Sequence, residues 1–346
     1  MSDASYDAIL FVSFGGPEGP DDVIPFLENV LRGRNVPRER MMEVAEHYAH
    51  FGGVSPINQQ NRELIAAVEI ELRRRGVTLP IYWGNRNWHP MLADTVSQMK
   101  SDGVRKAIAF VTAAVSSYSS CRQYRQNIAD ACSNAGEDAP VIDKIRVFYN
   151  HPDFIAANVE RVRAAVAMLP EENRRNARYL FTAHSIPKSM ADNSFYEKQL
   201  LESCRLVAEE LGLTRDQWQL TWQSRSGRPE DPWLEPDILD AIKSLPDEKG
   251  IGVVVIPIGF LSDHMEVMYD LDEEAATVAQ ELGLPFSRAE TVGTHPRFVE
   301  MVTKLILERL EPDQPRECMG NFGPAWDVCP VNCCPAPARP RAPASP

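Results

Sequence analysis

The sequence has no long run of apolar residues, and that absence excludes a membrane-spanning helix, which needs about 20 of them in succession. The longest apolar stretches, such as residues 253–258, have the length of buried strands. Residues 1–7 are mainly polar and lack the basic start and apolar core of a signal peptide. We therefore expect a cytoplasmic protein without a transmembrane segment.

The chain also lacks an excess of positive charge. It carries 49 acidic and 36 basic residues, which gives a formal net charge of −13. Nucleic acids are bound by positive surfaces that displace counterions from the phosphates, so a nucleic-acid partner is not expected. Electrostatic attraction to anionic lipid is disfavoured for the same reason, while peripheral membrane contact of another kind stays open.

Nucleotide-binding signatures are missing as well. Gly15 and Gly16 follow the first apolar run, but the G-x-G-x-x-G spacing of dinucleotide sites is absent. A Walker lysine motif is absent too. These absences argue against nucleotide chemistry.

What the sequence contains is an alternation of short β-rich runs with longer amphipathic segments, which is typical of a parallel α/β fold. Strands are predicted at 8–12, 80–83, 106–111, 144–149, 177–183, 217–222 and 252–258. We expect two α/β domains, residues 5–150 and 151–312, and a cysteine- and proline-rich tail, residues 313–346. The last predicted helix could pack back on the first domain.

Polar residues follow several predicted strands, and ligands bind beyond the carboxyl ends of strands in open α/β sheets. His184 follows the fifth strand, where an imidazole can take a proton or bind a metal; a hydrogen-bonded loop histidine is the alternative. Glu266, Asp270 and Glu274 follow the seventh strand at helical spacing. They form either a row of oxygen ligands for a divalent cation or a plain solvated acidic face.

Five segments, in their order along the chain, resemble the ferrochelatase family. They are residues 10–17 (LFVSFGGP), 52–57 (GGVSPI), 182–187 (TAHSIP), 222–224 (WQS) and 259–267 (GFLSDHMEV). The resemblance, which runs from Tyr6 to about Leu310, implies an α/β fold of two Rossmann-like domains. Each would be a parallel sheet flanked by helices, as in class II chelatases, with a porphyrin cleft between them. The implied activity is insertion of Fe²⁺ into a porphyrin in haem biosynthesis.

The resemblance also implies roles for individual residues. His184 and Glu266 would be the catalytic pair and metal ligands, and Asp270 and Glu274 would continue the metal-binding row. Porphyrin contacts are implied or suspected at Phe14, Arg32, Ser55, Tyr118, Tyr124 and Trp222, with a core position as the alternative for Trp222. A neutral His184 would accept a pyrrole proton or bind iron. Glu266 would strip water from Fe²⁺ or relay the second proton.

Four of the seven cysteines lie close together near the C-terminal end of the chain: Cys318, Cys329, Cys333 and Cys334. An odd number of cysteines in a reducing compartment argues against a disulfide framework. The tail resembles the extension that carries a [2Fe–2S] cluster in some ferrochelatases, and four thiolates satisfy such a cluster.

The fourth ligand of this expected cluster is ambiguous. Ala157 stands where we align the internal cysteine ligand of one bacterial type. We therefore predict Cys318 as the ligand that joins the other three tail cysteines. The alternatives are Cys121, Cys132 and Cys204, or no fourth cysteine ligand at all, and a zinc site or free thiols are the other interpretations of the tail.

The implied substrate is coproporphyrin III, because the segment from Tyr118 to Arg125 resembles soluble ferrochelatases of Gram-positive type. The sequence also shows no hydrophobic lip that would favour membrane docking. Protoporphyrin IX is the alternative. A cobalt or nickel chelatase of the same fold and a porphyrin or haem carrier without turnover are less favoured. Upstream and downstream enzymes of haem synthesis are the protein partners to consider.

Overall fold

The computed structural model describes residues 6–33, 36–226, 230–246, 250–311 and 313–336. Strands within these ranges are β1 Ala8–Ser13, β2 Ile81–Asn85, β3 Lys106–Val111, β4 Val141–Lys144, β5 Arg178–His184, β6 Trp218–Gln223, β7 Val253–Ile256 and β8 Phe286–Arg288. Helices are α1 Val23–Val30, α2 Arg38–His50, α3 Ile57–Arg74, α4 Leu92–Ser101, α5 Gln123–Ala135, α6 Pro152–Met168, α7 Glu171–Arg174, α8 Lys188–Ala191, α9 Tyr196–Glu210, α10 Ile238–Lys243, α11 Met265–Val267, α12 Ala276–Glu281 and α13 Pro296–Leu310. Residues 118–122 and 268–275 are π-helical. The end of the predicted tail, 337–346, lies outside the described residues.

The strands form two four-stranded sheets in which every pair of neighbours is parallel. Their orders are β2-β1-β3-β4 and β6-β5-β7-β8. All residues of β1 are buried, as expected for a central strand covered by helices on both faces. The predicted α/β class with two parallel, helix-flanked sheets is confirmed.

One predicted strand, residues 144–149, is wrong. The structure places β4 earlier, and residues 145–149 are buried but belong to no strand. Because β4 is an edge strand with exposed or half-buried residues, it lacks the continuous apolar run that marks the central strands. The short edge strand β8 was not predicted for the same reason.

A single apolar cluster joins the two sheets. It includes Phe11 and Phe110 of the first sheet, Phe181 and Ile256 of the second, and Phe298 of α13. Helix α13 packs against both α3 and α6. Since the two sheets share this core, the domain boundary near residue 150 stays a prediction. Each helix given above falls short of the length or apolar character that crossing a lipid bilayer demands.

The tail from residue 313 to residue 336 contacts both halves of the chain. The side chain of Asn150 donates to the carbonyl of Met319 at 3.1 Å. In the second half, Glu202 of α9 accepts from the backbone N–H of Asn321 at 3.0 Å. In the first half, Arg122 donates to two tail carbonyls at 2.6 and 2.8 Å.

A buried ion pair connects the loop after β4 to α13. The side chains of Arg146 and Glu308 are 0% and 4% exposed, and the guanidinium donates to both carboxylate oxygens at 2.9 and 2.7 Å. Arg146 also donates to the carbonyl of Glu317 in the tail at 2.8 Å. The removal of one partner from a buried pair leaves an uncompensated charge, so the pair is costly to break.

We expect Glu308→Ala to lower the free energy of unfolding by about 3–5 kcal/mol, because the Arg146 guanidinium would stay buried without its carboxylate. Urea unfolding followed by circular dichroism measures the change. Glu311→Ala, at an exposed position just beyond α13, is the control. Equal losses in the two variants would contradict this role for the pair.

Candidate active site

The structure brings His184 and Glu266 together from two different strand ends. His184 is the last residue of β5, and Glu266 lies in α11, which follows β7. The imidazole Nε2 is 3.5 Å from Oε1 of Glu266. The other ring nitrogen, Nδ1, donates to the carbonyl of Ser185 at 2.5 Å. Tyr196 donates to the carbonyl of His184 at 2.9 Å, which also fixes the strand end.

The pair holds a proton at neutral pH. Burial alone would lower the pKa of His184, but the carboxylate of Glu266 outweighs it and raises the pKa to about 9 from the ordinary 6.5. The carbonyl of Ser185 adds to the increase, because it accepts from the ring. In the substrate-free protein His184 therefore favours its protonated form, whereas the role of proton acceptor implied by the resemblance needs the neutral ring.

Asp270 is the second carboxylate of the site. Its Oδ2 accepts from the amide nitrogen of Gln223 at 3.3 Å and from the hydroxyl of Ser224. Burial raises the pKa of Asp270 to about 7, with further increases from Glu266 and Glu274. Asp270 can therefore gain and lose a proton near neutral pH.

The acidic row does not lie on a regular α-helix. Helix α11 is one turn long, and the backbone from Met268 to Ala275 is π-helical. π-Helical segments are rare and frequently occur at functional sites. Glu274 is exposed, whereas Asp270 is half-buried beside Glu266 and Ser224. Glu266 is exposed as well, so the three predicted carboxylate ligands do not run from a buried end to the surface.

Residues of the first half of the chain cover this site. Phe14, which follows β1, packs in one apolar cluster with Phe26 and Tyr48 of α1 and α2 and with Met265 and Met268 of the second half. His47 of α2 stacks on Tyr269 with ring centroids 3.7 Å apart. The end of β1 and the helix with Glu266 therefore face each other across the two halves.

The predicted porphyrin contacts are distributed unevenly. Phe14 and Tyr118 are half-buried, Arg32 is exposed after α1, and Ser55 is buried against Gly16. Tyr124 is 5% exposed and lies 5.6 Å from the Arg86 guanidinium. Trp222 is 2% exposed and stacks on Tyr196. A direct porphyrin contact by Trp222 is not available in this structure, because its large ring completes the core below His184.

Two residues that hold the site were not predicted as functional. Tyr196 supports the backbone of His184, and Gln223 donates to the carbonyl of Glu266 at 2.6 Å. Gln223 directly follows the predicted strand 217–222 and lies in the family segment 222–224, and these two facts were the available signal. The contact itself could not be predicted, because Glu266 lies 43 residues further along the chain.

Three of the four predicted cluster cysteines lie with Cys121 rather than with Cys318. Cys329 and Cys333 line one small cavity together with Cys121. The sulfur of Cys334 is 3.5 Å from that of Cys333, and its thiol donates to Cys121. Cys318 does not line this cavity and lies beside Tyr149.

Three basic residues surround these thiols: Arg122, Arg125 and Lys144. Arg122 donates to the carbonyl of Cys333 at 2.8 Å, and Arg125 donates to that of Cys329 at 3.5 Å. A hydrogen bond from Cys334 lowers the pKa of the Cys121 thiol. The donor set and the nearby positive charge fit an anionic metal–thiolate group.

A second group of possible ligands already contains a cation. His151, Asp153 and Glu317 lie close enough to hold a metal ion. However, the Lys304 ammonium lies 2.8 Å from Asp153 and 3.1 Å from Glu317. This group is an ion-pair network between α6, α13 and the tail.

We expect Glu266→Gln to lower the pKa of His184 from about 9 toward its ordinary value of 6.5, because the charge that favours the imidazolium is removed. The imidazolium should then be lost at lower pH, as NMR titration of the ring signals would show. Glu273→Gln, whose carboxylate pairs with His50, is the control and should leave His184 unchanged. An unaltered His184 titration in Glu266→Gln would contradict the pairing.

Comparison with known proteins identifies the family of this chain. A family model described as ferrochelatase matches residues 6–310. A ferrochelatase of Rhodopirellula baltica is 58% identical over 95% of this chain and 93% of its own length. A coproporphyrin III ferrochelatase of Streptomyces coelicolor is 50% identical over 98% of this chain and 96% of its own length. SirB from Bacillus subtilis with Fe³⁺ has a TM-score of 0.58 at 12% identity, covering 91% of this chain and 99% of SirB, which supports the fold alone. The family model and the two relatives extend over nearly the whole chain, and the protein belongs to the ferrochelatase family.

Proposed function

We propose that this protein inserts Fe²⁺ into coproporphyrin III in haem biosynthesis. The observation that carries the proposal is the His184–Glu266 pair, held 3.5 Å apart by two strand ends. The name of the Streptomyces coelicolor relative supports coproporphyrin III over protoporphyrin IX. We further propose that the enzyme works in the cytoplasm, next to the pathway enzymes that supply its porphyrin and use its product.

Metal insertion must remove two protons from the pyrrole nitrogens. At neutral pH His184 already carries a proton, so it cannot accept another in the substrate-free state. The proton shared with Glu266 must first leave, and Asp270, with a pKa of about 7, is a suitable acceptor. The released imidazole can then take one pyrrole proton, and the neighbouring Glu266 carboxylate can take the second.

The arrival of iron favours this release. A cation beside Glu266 offsets the negative charge that stabilises the imidazolium, so the pKa of His184 falls. Exposed Glu266 and Glu274 and half-buried Asp270 provide oxygen ligands for the incoming cation. Iron entry and proton departure are therefore coupled through the same carboxylates.

The covering aromatic residues contribute to the geometry of the ring. Phe14 and Met268 are half-buried members of the apolar cluster that joins the end of β1 to the segment around Glu266, whereas Tyr48 and Met265 are buried inside it. A porphyrin bent against such a surface exposes its nitrogen lone pairs and is closer to the transition state than the flat ring. Binding energy from the apolar face can thereby lower the insertion barrier.

We expect anaerobic assays with Fe²⁺ to give a higher kcat/KM for coproporphyrin III than for protoporphyrin IX. Co²⁺ and Ni²⁺ with sirohydrochlorin, the substrates of the alternative chelatase, should give little turnover. Strict use of sirohydrochlorin would overturn the proposal, and tight porphyrin binding without any turnover would favour a carrier.

His184→Ala should reduce kcat by at least about a hundredfold, because it removes a proton-transferring group, while porphyrin binding measured by fluorescence changes little. His295→Ala, at a histidine paired with surface residue Glu160, is the matched control. Near-normal turnover of His184→Ala would show that this histidine is structural.

We also propose that the tail carries a [2Fe–2S] cluster held by Cys121, Cys329, Cys333 and Cys334. The shared cavity and the Cys333–Cys334 and Cys121–Cys334 contacts support Cys121 as the fourth ligand in place of Cys318. When bound, such a cluster supplies one-electron redox chemistry and links the tail to the start of α5.

We expect protein purified without oxygen to contain iron and sulfide in equal amounts, with about two of each per chain, and to be coloured. Cys121→Ser should lose both, since serine is a poor ligand for such a cluster, whereas Cys318→Ser should keep both. Iron and sulfide analysis and the visible spectrum give the readout. Loss in Cys318→Ser alone would restore the ligand set expected from the sequence, and bound zinc without sulfide would replace the cluster.

A further inference from the structure

Gln223 joins three parts of the active site. It is the last residue of β6 and lies opposite His184 in the register of β5 and β6. Its side-chain nitrogen donates to the main-chain oxygen of Glu266 at 2.6 Å and to Oδ2 of Asp270 at 3.3 Å. Through its pairing with β5, Gln223 thereby connects the strand that carries His184 to Glu266 and Asp270.

The environment of Gln223 does not suit a purely structural glutamine. The residue is 1% exposed, and its side-chain oxygen has no hydrogen-bond partner among the described residues. A buried polar atom without a partner lowers stability. Methionine would fill similar space without that loss, so the amide is better explained by what its nitrogen holds.

The two hydrogen bonds donated by Gln223 are accepted by residues on either side of the start of the π-helix at Met268. Glu266 belongs to the single α-helical turn that precedes Met268, where the π-helix begins. A bond from β6 to the Glu266 carbonyl ties this turn to the sheet. Asp270, one turn further on, is then within reach of the second N–H of Gln223.

Ser224 adds a second donor to the same carboxylate oxygen. Its hydroxyl also donates to Oδ2 of Asp270, and its backbone has a φ of +60°, in the left-handed region that non-glycine residues rarely adopt. Two successive residues at the end of β6 therefore hold one oxygen of Asp270.

We propose that Gln223 is a positioning residue that keeps the carboxylate of Asp270 beside the His184–Glu266 pair, where it receives Fe²⁺. This inference rests on the proposed iron insertion. It assigns to the end of β6 a role in binding Fe²⁺ that is separate from porphyrin binding.

The test is Gln223→Met, which keeps the volume and removes both donors. The KM for Fe²⁺ should rise about tenfold, as expected for the loss of a hydrogen bond to a charged group. The KM for the porphyrin should change by less than about twofold. Gln219→Met, at an exposed position of the same strand, is the matched control and should leave both constants unchanged.

A double-mutant cycle with Asp270→Ala shows whether Gln223 acts through Asp270. In that background, Gln223→Met should change the KM for Fe²⁺ by less than about twofold, because the group that it positions is gone. Effects that multiply fully would overturn the inference. If Gln223→Met does not fold, Gln223→Asn, which is too short to reach both acceptors, must give the same iron-specific increase.

The two proposals fail in different ways. Absence of iron insertion by the wild-type protein would remove the proposed function. An active wild-type protein and a Gln223→Met variant with unchanged KM for Fe²⁺ would remove only the role of Gln223.

Discussion

The electrostatic interaction between an imidazolium and a carboxylate governs the candidate site. His184 is mostly enclosed by protein, an environment that disfavours its charged form, yet Glu266 at 3.5 Å keeps it protonated. The same carboxylate is the nearest predicted ligand for an incoming cation. Under the proposed function, metal and proton compete for this negative charge, and the total charge of the site stays the same only if two protons leave for each Fe²⁺ that enters.

His184 and Glu266 can meet only because the carboxyl ends of β5 and β7 lie at the same edge of one sheet. In each parallel sheet the carboxyl ends lie at one edge, so residues distant along the chain, such as His184 and Gln223, become neighbours. The shared core around Phe11, Phe181 and Phe298 holds the two sheets to each other. Phe14 of the first sheet can thus face Met265 of the second.

Central strands and the His184–Glu266 pair could be predicted because their signals are local. Buried parallel strands are continuous apolar runs, and the two residues lie in family segments. Edge strand β4 has no such run, and its prediction failed. For Trp222 the sequence left both a porphyrin contact and a core position open, because a tryptophan beside a functional segment can face either. Its packing against Tyr196 favours the core position.

The sequence left Cys121 as one of several alternatives, and it could not show that Cys121, and not Cys318, lies beside the other three tail cysteines. Nothing in the spacing indicates that the tail turns back toward α5, since this path depends on hydrogen bonds from Arg122 and Arg125 to tail carbonyls. The π-helix after α11 could not be predicted either, because carboxylates spaced four residues apart are compatible with an ordinary α-helix.

The path of the tail has a mechanical consequence. The segment is attached to Arg122 in the first half, to Asn150 at the junction and to Glu202 in the second half. A hinge motion that separates the two sheets would have to stretch the tail or break its hydrogen bonds to one of the halves. Such a motion would also have to break the contacts of α1 and α2 with the second half, namely the stack of His47 on Tyr269 and the packing of Tyr48 with Met265.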